Sequence, residues 1–97
     1  MNQTEIEQML IDVVCQLQEL SGREKVPVTA DTKPVLDMPG FDSLNGVEAT
    51  VEVLDRLKLD LDFNNVFIDE DKKKALTIRQ AGARLRGCME RATAKQS

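Results

Sequence analysis

The sequence predicts an all-α fold, a four-helix bundle with three main helices, one short third helix and a long first loop. Three separate segments carry apolar residues at helical spacing. The prolines Pro27, Pro34 and Pro39 all lie between the first two of these segments, where they interrupt regular backbone hydrogen bonding. Because the chain has 97 residues, we expect it to form one domain over residues 1–97.

The first helix is predicted over residues 4–20. Thr4 and Glu7 have the spacing of a capping box, in which each side chain satisfies a backbone N–H of the first turn. Ser21-Gly22 supplies the stop signal. Cys15 falls opposite the apolar stripe, so we expect it to be exposed. The stripe itself consists of Ile6, Met9, Leu10, Val13, Leu17 and Leu20.

Residues 22–41 are predicted to form a long loop that is pinned onto the core. The three prolines exclude a long helix or a central strand here. A structureless connection of this length would be unusual in a compact domain. Apolar residues along the loop provide the attachment to the core, namely Val26, Val28, Val35, Leu36 and Met38.

The second main helix is predicted over residues 43–57. Asp42 and Ser43 are both favoured at helix starts, because their side-chain oxygens accept hydrogen bonds from backbone N–H groups. The helix has two apolar sides with acids between them, and only one side can enter the core. One side carries Leu44, Val47, Val51 and Leu54; the other carries Gly46, Ala49, Thr50, Val53 and Leu57; the acids are Glu48, Glu52 and Asp55.

The rest of the chain is predicted to contain a short helix over residues 69–74 and a last helix over 78–91. Residues 59–63 alternate like a strand, but a lone strand is unstable, so they are interpreted as an extended connection. In the short helix, acids come first and lysines last, as the helix dipole favours. Thr77 and Gln80 have capping-box spacing. The buried stripe of the last helix is Ile78, Ala81, Leu85 and Met89.

Composition argues against several classes of function. The formal net charge is -4 and the sequence pI is about 4.8, so we expect neither nucleic acid nor an anionic membrane as a partner. Histidine is absent, which removes the commonest general base. Cys15 and Cys88 lack metal-ligand spacing and are expected to be reduced thiols. Without a signal-peptide pattern, we expect a cytoplasmic location. The absence of histidine favours a non-catalytic protein, which we expect to be monomeric.

The segment Gly40-Phe41-Asp42-Ser43-Leu44, followed by Val47-Glu48, resembles the acyl carrier protein family. The resemblance extends over most of the chain, from the first helix to the last. It implies an acyl-carrier type of bundle in which a phosphopantetheinyl transferase attaches 4'-phosphopantetheine from coenzyme A to Ser43. The arm would then hold an acyl or aminoacyl group as a thioester. Acyl-activating, condensing or acyl-transfer enzymes would be the partners, in fatty-acid, polyketide or related lipid or secondary-metabolite synthesis.

The resemblance also implies roles for residues near Ser43. Asp42 and Leu44 would be its motif neighbours. Small inward-facing residues such as Gly46 either leave room for an attached chain or permit close packing. The acids either engage partners or are only solvated. The implied partner contacts are Leu44, Val47 and Val51, with Glu48, Glu52 and Asp55 binding basic residues.

Departures from the family pattern indicate a specialised carrier rather than one for housekeeping fatty-acid synthesis. Asn45 stands where such carriers often have an acid, and Arg56 and Lys58 dilute the negative charge further along. Two other functions remain open. One is a helical adaptor of the same fold that binds a partner without modification, and the other is a small enzyme that uses carboxylates.

Overall fold

The computed structural model describes residues 2–20, 22, 26–38, 40–59, 65–69 and 74–96. This part of the chain is mostly helical, with one small antiparallel sheet. The elements in chain order are α1 (Gln3–Leu20), α2 (Pro34–Asp37), α3 (Ser43–Leu57), β1 (Ile68–Asp69), β2 (Lys74–Ala75) and α4 (Ile78–Gln96).

Helices α1 and α3 occupy the segments in which the sequence predicts helices. α3 covers the predicted residues 43–57, and α1 starts one residue before the predicted 4–20. α4 starts at the predicted residue but continues to Gln96 instead of ending near residue 91. At its start, Gln80 N donates to Thr77 Oγ1 at 3.0 Å and Thr77 N donates to Gln80 Oε1 at 2.9 Å. The capping box predicted for α4 is therefore confirmed.

The short helix lies in a different place from the one predicted. Asp69 and Lys74, the ends of the predicted 69–74 helix, are strand residues that face each other across the β1–β2 pair. Residues 70–73 lie outside the described part of the chain, as do residues 60–63 of the predicted extended connection. Opposite charges placed directly across an antiparallel pair stabilise it, which gives Asp69 and Lys74 a role other than complementing a helix dipole.

The short helix of the structure is α2, inside the predicted loop. Pro34 is its first residue, a position at which the missing N–H of proline has no cost. The Asp37 carboxylate accepts a hydrogen bond from the Lys33 N–H at 2.8 Å. Proline therefore starts a helix here, in a segment where its sequence pattern predicts only an interruption of regular structure.

Two details of the predicted α1 and loop are wrong. The capping box of α1 is formed by Asn2 and Glu5, each accepting a hydrogen bond from the other's backbone N–H, and Thr4 lies inside the helix. Leu20 is 84% exposed and Leu36 is 69% exposed, so neither contributes to the core. Leu20 is the last residue of α1 and Leu36 lies within the short α2, and both side chains face solvent.

The core lies where α1 packs against α3 and α4. Apolar residues of the 65–69 segment and of the first loop complete it, and Met9, Leu17, Val26, Val28, Val35 and Met89 pack at its edge. Gln18 is also buried, and its side-chain oxygen accepts a hydrogen bond from Val26 N at 3.2 Å. The buried apolar residues are Ile6, Leu10, Val13, Val14, Met38, Phe41, Ala49, Val53, Val66, Phe67, Ile78, Ala81 and Leu85.

The first loop is also tied to the start of α4. The backbone N–H of Ile78 donates to the Thr32 carbonyl, and that of Arg79 donates to the Ala30 carbonyl, both at 2.9 Å. These carbonyls satisfy N–H groups that have no partner within the helix. The long predicted loop is therefore an ordered part of the domain over residues 26–38.

Cys15 and Cys88 are both half-buried and form no disulfide. Cys15 is therefore less exposed than the sequence predicts. Within the described ranges, no helix has the length and apolarity required to cross a membrane.

Candidate functional site

Ser43 is exposed and is the first residue of α3. A capping box fixes its position. The box is formed by Asp42 and Asn45, which flank Ser43-Leu44. The carboxylate of Asp42 accepts a hydrogen bond from Asn45 N at 3.0 Å, and the side-chain oxygen of Asn45 accepts one from Asp42 N at 3.2 Å. The local sequence thus holds the serine hydroxyl on a defined helix start that faces solvent.

The chain enters this helix start through a turn anchored by Phe41. Gly40 has a φ of 73°, a left-handed conformation that glycine adopts without a steric penalty. Phe41 is only 3% exposed, and its ring packs edge-on against Phe67 with centroids 6.3 Å apart. The bulky residue before the motif is therefore a core anchor, which holds the approach to Ser43 in place.

The inward side of α3 is oriented as the sequence predicts, but Leu54, which the sequence places on the other apolar side, is half-buried and packs against the core. Leu44 is 65% exposed and Val51 is 61% exposed, while Val47 is half-buried. The opposite side faces the core through Gly46, Ala49, Thr50 and Val53. An exposed apolar surface consequently starts next to Ser43 and continues for two helical turns.

The three acids of α3 lie at the surface beside these apolar residues. Glu48, Glu52 and Asp55 are all exposed. Glu52 forms an ion pair with Arg56, at 3.0 Å between Oε1 and Nε, and Arg56 also donates to Gln16 of α1. Among the described residues Glu48 forms no ion pair, so its charge is available next to Val47 and Val51.

The small inward-facing residue Gly46 makes room for a side chain of the protein itself. A Cβ placed on Gly46 would lie 2.5 Å from Nδ2 and 2.6 Å from Oδ1 of Asn65. Of the two alternatives for this glycine, close packing is therefore correct, and there is no room for an attached chain at this point. The partner in that packing is a residue from the 65–69 segment, and its amide is only 7% exposed.

A shallow depression lies on the other side of the helix start. Its volume is about 570 Å³, and it is open to solvent. Its lining includes Asp42, the neighbour of Ser43, and the exposed Leu36 of α2. The remaining lining residues are Val35, Asp37, Met38, Gly40 and Phe41.

Two site residues were missed in the sequence analysis. Asn45 appeared only as a missing acid, but it is a capping residue and is 9% exposed. Its spacing of three from Asp42 was the available signal. Asn65 gave no signal of its own, because its role depends on a contact with Gly46 nineteen positions earlier in the chain.

Comparison with known proteins gave no match: no protein-family model, no curated protein and no solved structure matches the chain.

Proposed function

We propose that this chain is a carrier protein whose Ser43 receives a 4'-phosphopantetheine arm. The observation that carries the proposal is an exposed serine at a helix start that is held by a capping box. The helix that begins there has an exposed apolar and acidic surface in its next two turns. The resemblance of residues 40–44 to the motif of acyl carrier proteins supports the same function. When attached, the arm supplies a thiol that holds an acyl or aminoacyl group as a thioester.

The residues around Ser43 fit a phosphodiester at that position. Among the described residues, no hydrogen bond uses the backbone N–H of Ser43 or of Leu44. Both groups belong to the first turn of a 15-residue helix, where backbone N–H groups and the helix dipole favour an anion. Ser43 and Leu44 could therefore hold the phosphate oxygens, while Asp42 keeps the Asn45 N–H.

The modification is a phosphoryl-type transfer in which the chain provides the nucleophile. Ser43 Oγ attacks the pyrophosphate phosphorus of coenzyme A that bears the pantetheine. The new Oγ–P bond replaces the bond to the bridging oxygen, and adenosine bisphosphate leaves with that electron pair. A base of the phosphopantetheinyl transferase takes the hydroxyl proton, because the carrier has no histidine to do so.

The surface after Ser43 is proposed to bind the transferase and later the acyl-activating, condensing or acyl-transfer enzymes. Leu44, Val47 and Val51 would provide the apolar contact, and Glu48, Glu52 and Asp55 would face basic residues of these enzymes. Asn45 is neutral where carriers for housekeeping fatty-acid synthesis often have an acid, and Arg56 offsets the charge of Glu52 further along the helix. We therefore propose a specialised carrier that takes part in fatty-acid, polyketide or related lipid synthesis.

Intact-mass measurement tests the proposal directly. The protein is incubated with coenzyme A and a broad-specificity phosphopantetheinyl transferase, and we expect a gain of one phosphopantetheine. The chain has three serines, so Ser43→Ala should abolish the gain, while Ser21→Ala and Ser97→Ala should keep it. Absence of any gain with several transferases would contradict the proposal and favour the unmodified adaptor.

A further inference from the structure

The side chain of Asn65 connects three parts of the molecule at the site. Its Nδ2 donates a hydrogen bond to the Ser43 carbonyl at 2.9 Å, and its Oδ1 accepts one from Phe67 N at 3.0 Å. The amide also fills the space above Gly46. Asn65 is therefore in direct contact with the backbone of the residue proposed to be modified, although 22 positions separate the two in the chain.

The segment that carries Asn65 is itself held on both sides. Thr50 of α3 accepts a hydrogen bond from Val66 N at 3.0 Å. Arg84 of α4 donates to the Ile68 carbonyl at 2.7 Å and to the Asn65 carbonyl at 3.4 Å. With its backbone fixed by two helices, the Asn65 amide provides a rigid support for the Ser43 carbonyl.

The chemistry of this position requires an amide. To keep both the hydrogen bond to the Ser43 carbonyl and the one from the Phe67 N–H, the side chain must provide one donor and one acceptor. Aspartate has the same shape but provides only acceptors when ionised. Because the side chain is 7% exposed, water replaces neither lost hydrogen bond easily.

We propose that Asn65 is a positioning residue for the modification of Ser43. The proposal rests on the proposed function. By holding the Ser43 carbonyl, the amide fixes the first turn of α3, and with it the direction in which Oγ meets the phosphorus atom. Asn65 itself is buried, whereas the proposed docking residues Leu44, Glu48 and Val51 are exposed. Its loss should therefore affect the rate of transfer and leave the binding of the carrier to the transferase unchanged.

Steady-state kinetics of phosphopantetheine transfer, with the carrier as the varied substrate, test this inference. Asn65→Asp is the first variant, because it keeps an acceptor for Phe67 N and removes the donor to Ser43. We expect kcat to fall roughly ten- to hundredfold, the effect of misplacing a reacting group by about 1 Å, with KM changed by less than about threefold. Rates are expressed per folded carrier, with the folded fraction taken from urea unfolding.

Two further variants separate positioning from general stability. Asn65→Ala removes the donor without placing a charge next to the Ser43 carbonyl. It replaces Asn65→Asp in the test if that variant does not fold, and we expect the same loss of kcat. Gln18→Ala is the matched control, because Gln18 of α1 is also a buried amide, and its side-chain oxygen holds the first loop by accepting a hydrogen bond from Val26 N. It should lower the stability of the domain but leave kcat per folded carrier at the wild-type value.

The possible outcomes distinguish this inference from the proposed function. If wild type is modified and the Asn65 variants have wild-type kcat per folded carrier, the positioning role is wrong and the carrier function stands. Equal losses of kcat in Asn65→Ala and Gln18→Ala would also overturn it, since stability alone would explain both. If wild type gains no phosphopantetheine at all, the proposed function fails, and the positioning role fails with it.

Discussion

The hydroxyl oxygen of Thr50 lies 3.0 Å from the backbone nitrogen of Val66, and both residues are almost completely buried. The same hydroxyl donates to the Gly46 carbonyl at 2.7 Å. A single oxygen thus joins the middle of α3 to the segment that carries Asn65. Because the Val66 N–H has this one acceptor in a dry environment, the contact determines where that segment lies relative to the start of α3.

Replacing Thr50 with valine should destabilise the domain by about 1–3 kcal/mol. The two side chains have nearly the same shape, so the change removes hydrogen bonds and leaves packing almost intact. The Val66 N–H then stays buried without an acceptor, and its lost hydration is not compensated. Urea unfolding followed by circular dichroism measures the difference in the free energy of unfolding.

Thr4→Val is the matched control for this prediction. Thr4 is an exposed residue in the first turn of α1, and the same change of side chain should shift stability by no more than about 0.5 kcal/mol. Equal effects of the two changes would mean that the Thr50–Val66 contact contributes nothing.

The two buried glycines of the helices should respond in opposite ways to alanine. In Gly46→Ala the new methyl group would lie 2.5–2.9 Å from three side-chain atoms of Asn65, which is itself tied to the backbone. We expect a net destabilisation of about 1–3 kcal/mol from this overpacking, despite the better helix propensity of alanine.

In Gly82→Ala the nearest atom would be Nε2 of Gln3 at 3.0 Å, followed by Glu7 Cγ at 3.4 Å. These are the outer parts of flexible side chains that can move. The helix propensity of alanine should then prevail, and stability should rise by up to about 1 kcal/mol. Urea unfolding of both variants is the measurement.

A double variant identifies the cause of the Gly46 effect. If Asn65 is the obstacle, Gly46→Ala should be much less harmful in an Asn65→Ala background, with a coupling free energy of about 0.5–3 kcal/mol. Additive effects would show that the methyl group meets some other obstacle.

The sequence was informative where local chemistry alone decides the structure. α3 could be located because Asp42 caps it and because its apolar residues have helical spacing. The start of α4 followed in the same way from Thr77 and Gln80. In contrast, β1 and β2 have two residues each, which is too short for any alternation to appear. The acidic and basic residues of this segment are equally compatible with a short helix.

Contacts between distant segments account for the rest of what could not be predicted. Asn64 and Asn65 are identical in type, and only the fold places Asn65 against Gly46 and Ser43. For α1 the sequence predicts a cap formed by Thr4 and Glu7, but Asn2 and Glu5, two residues earlier, have the same spacing. The structure uses the earlier pair. Which of these caps forms, and which asparagine meets Gly46, depends on tertiary packing. Hydrophobic periodicity in the sequence does not determine that packing.

Leu44→Ala should weaken recognition by the phosphopantetheinyl transferase. Leu44 is 65% exposed directly after Ser43, so it is available as an apolar contact, and its truncation should raise KM for the carrier about tenfold. Leu20→Ala is the control, because Leu20 is 84% exposed at the far end of α1 and should leave KM unchanged. Similar KM values for both variants would exclude Leu44 from the docking surface. Transfer kinetics provide the measurement, and neither change should alter folding.

Glu48→Gln tests the electrostatic part of the same surface. Glu48 is exposed between Val47 and Val51, and its charge is not compensated by an ion pair within the described residues. Removing it should raise KM about two- to fivefold at low ionic strength, because it subtracts one attraction to a basic patch on the transferase. The effect should shrink as salt is raised towards 1 M, where the Debye length falls to about 3 Å.

Glu90→Gln on α4 separates this local effect from the change in net charge. Glu90 is an exposed glutamate paired with Arg86, so its substitution removes the same formal charge elsewhere on the molecule. KM for this variant should stay within about twofold of wild type at every salt concentration. Charges far from the docking surface are screened by salt, so only charges close to that surface affect binding of the transferase. If both glutamate variants raise KM equally, only net charge matters, and α3 has no specific role in docking.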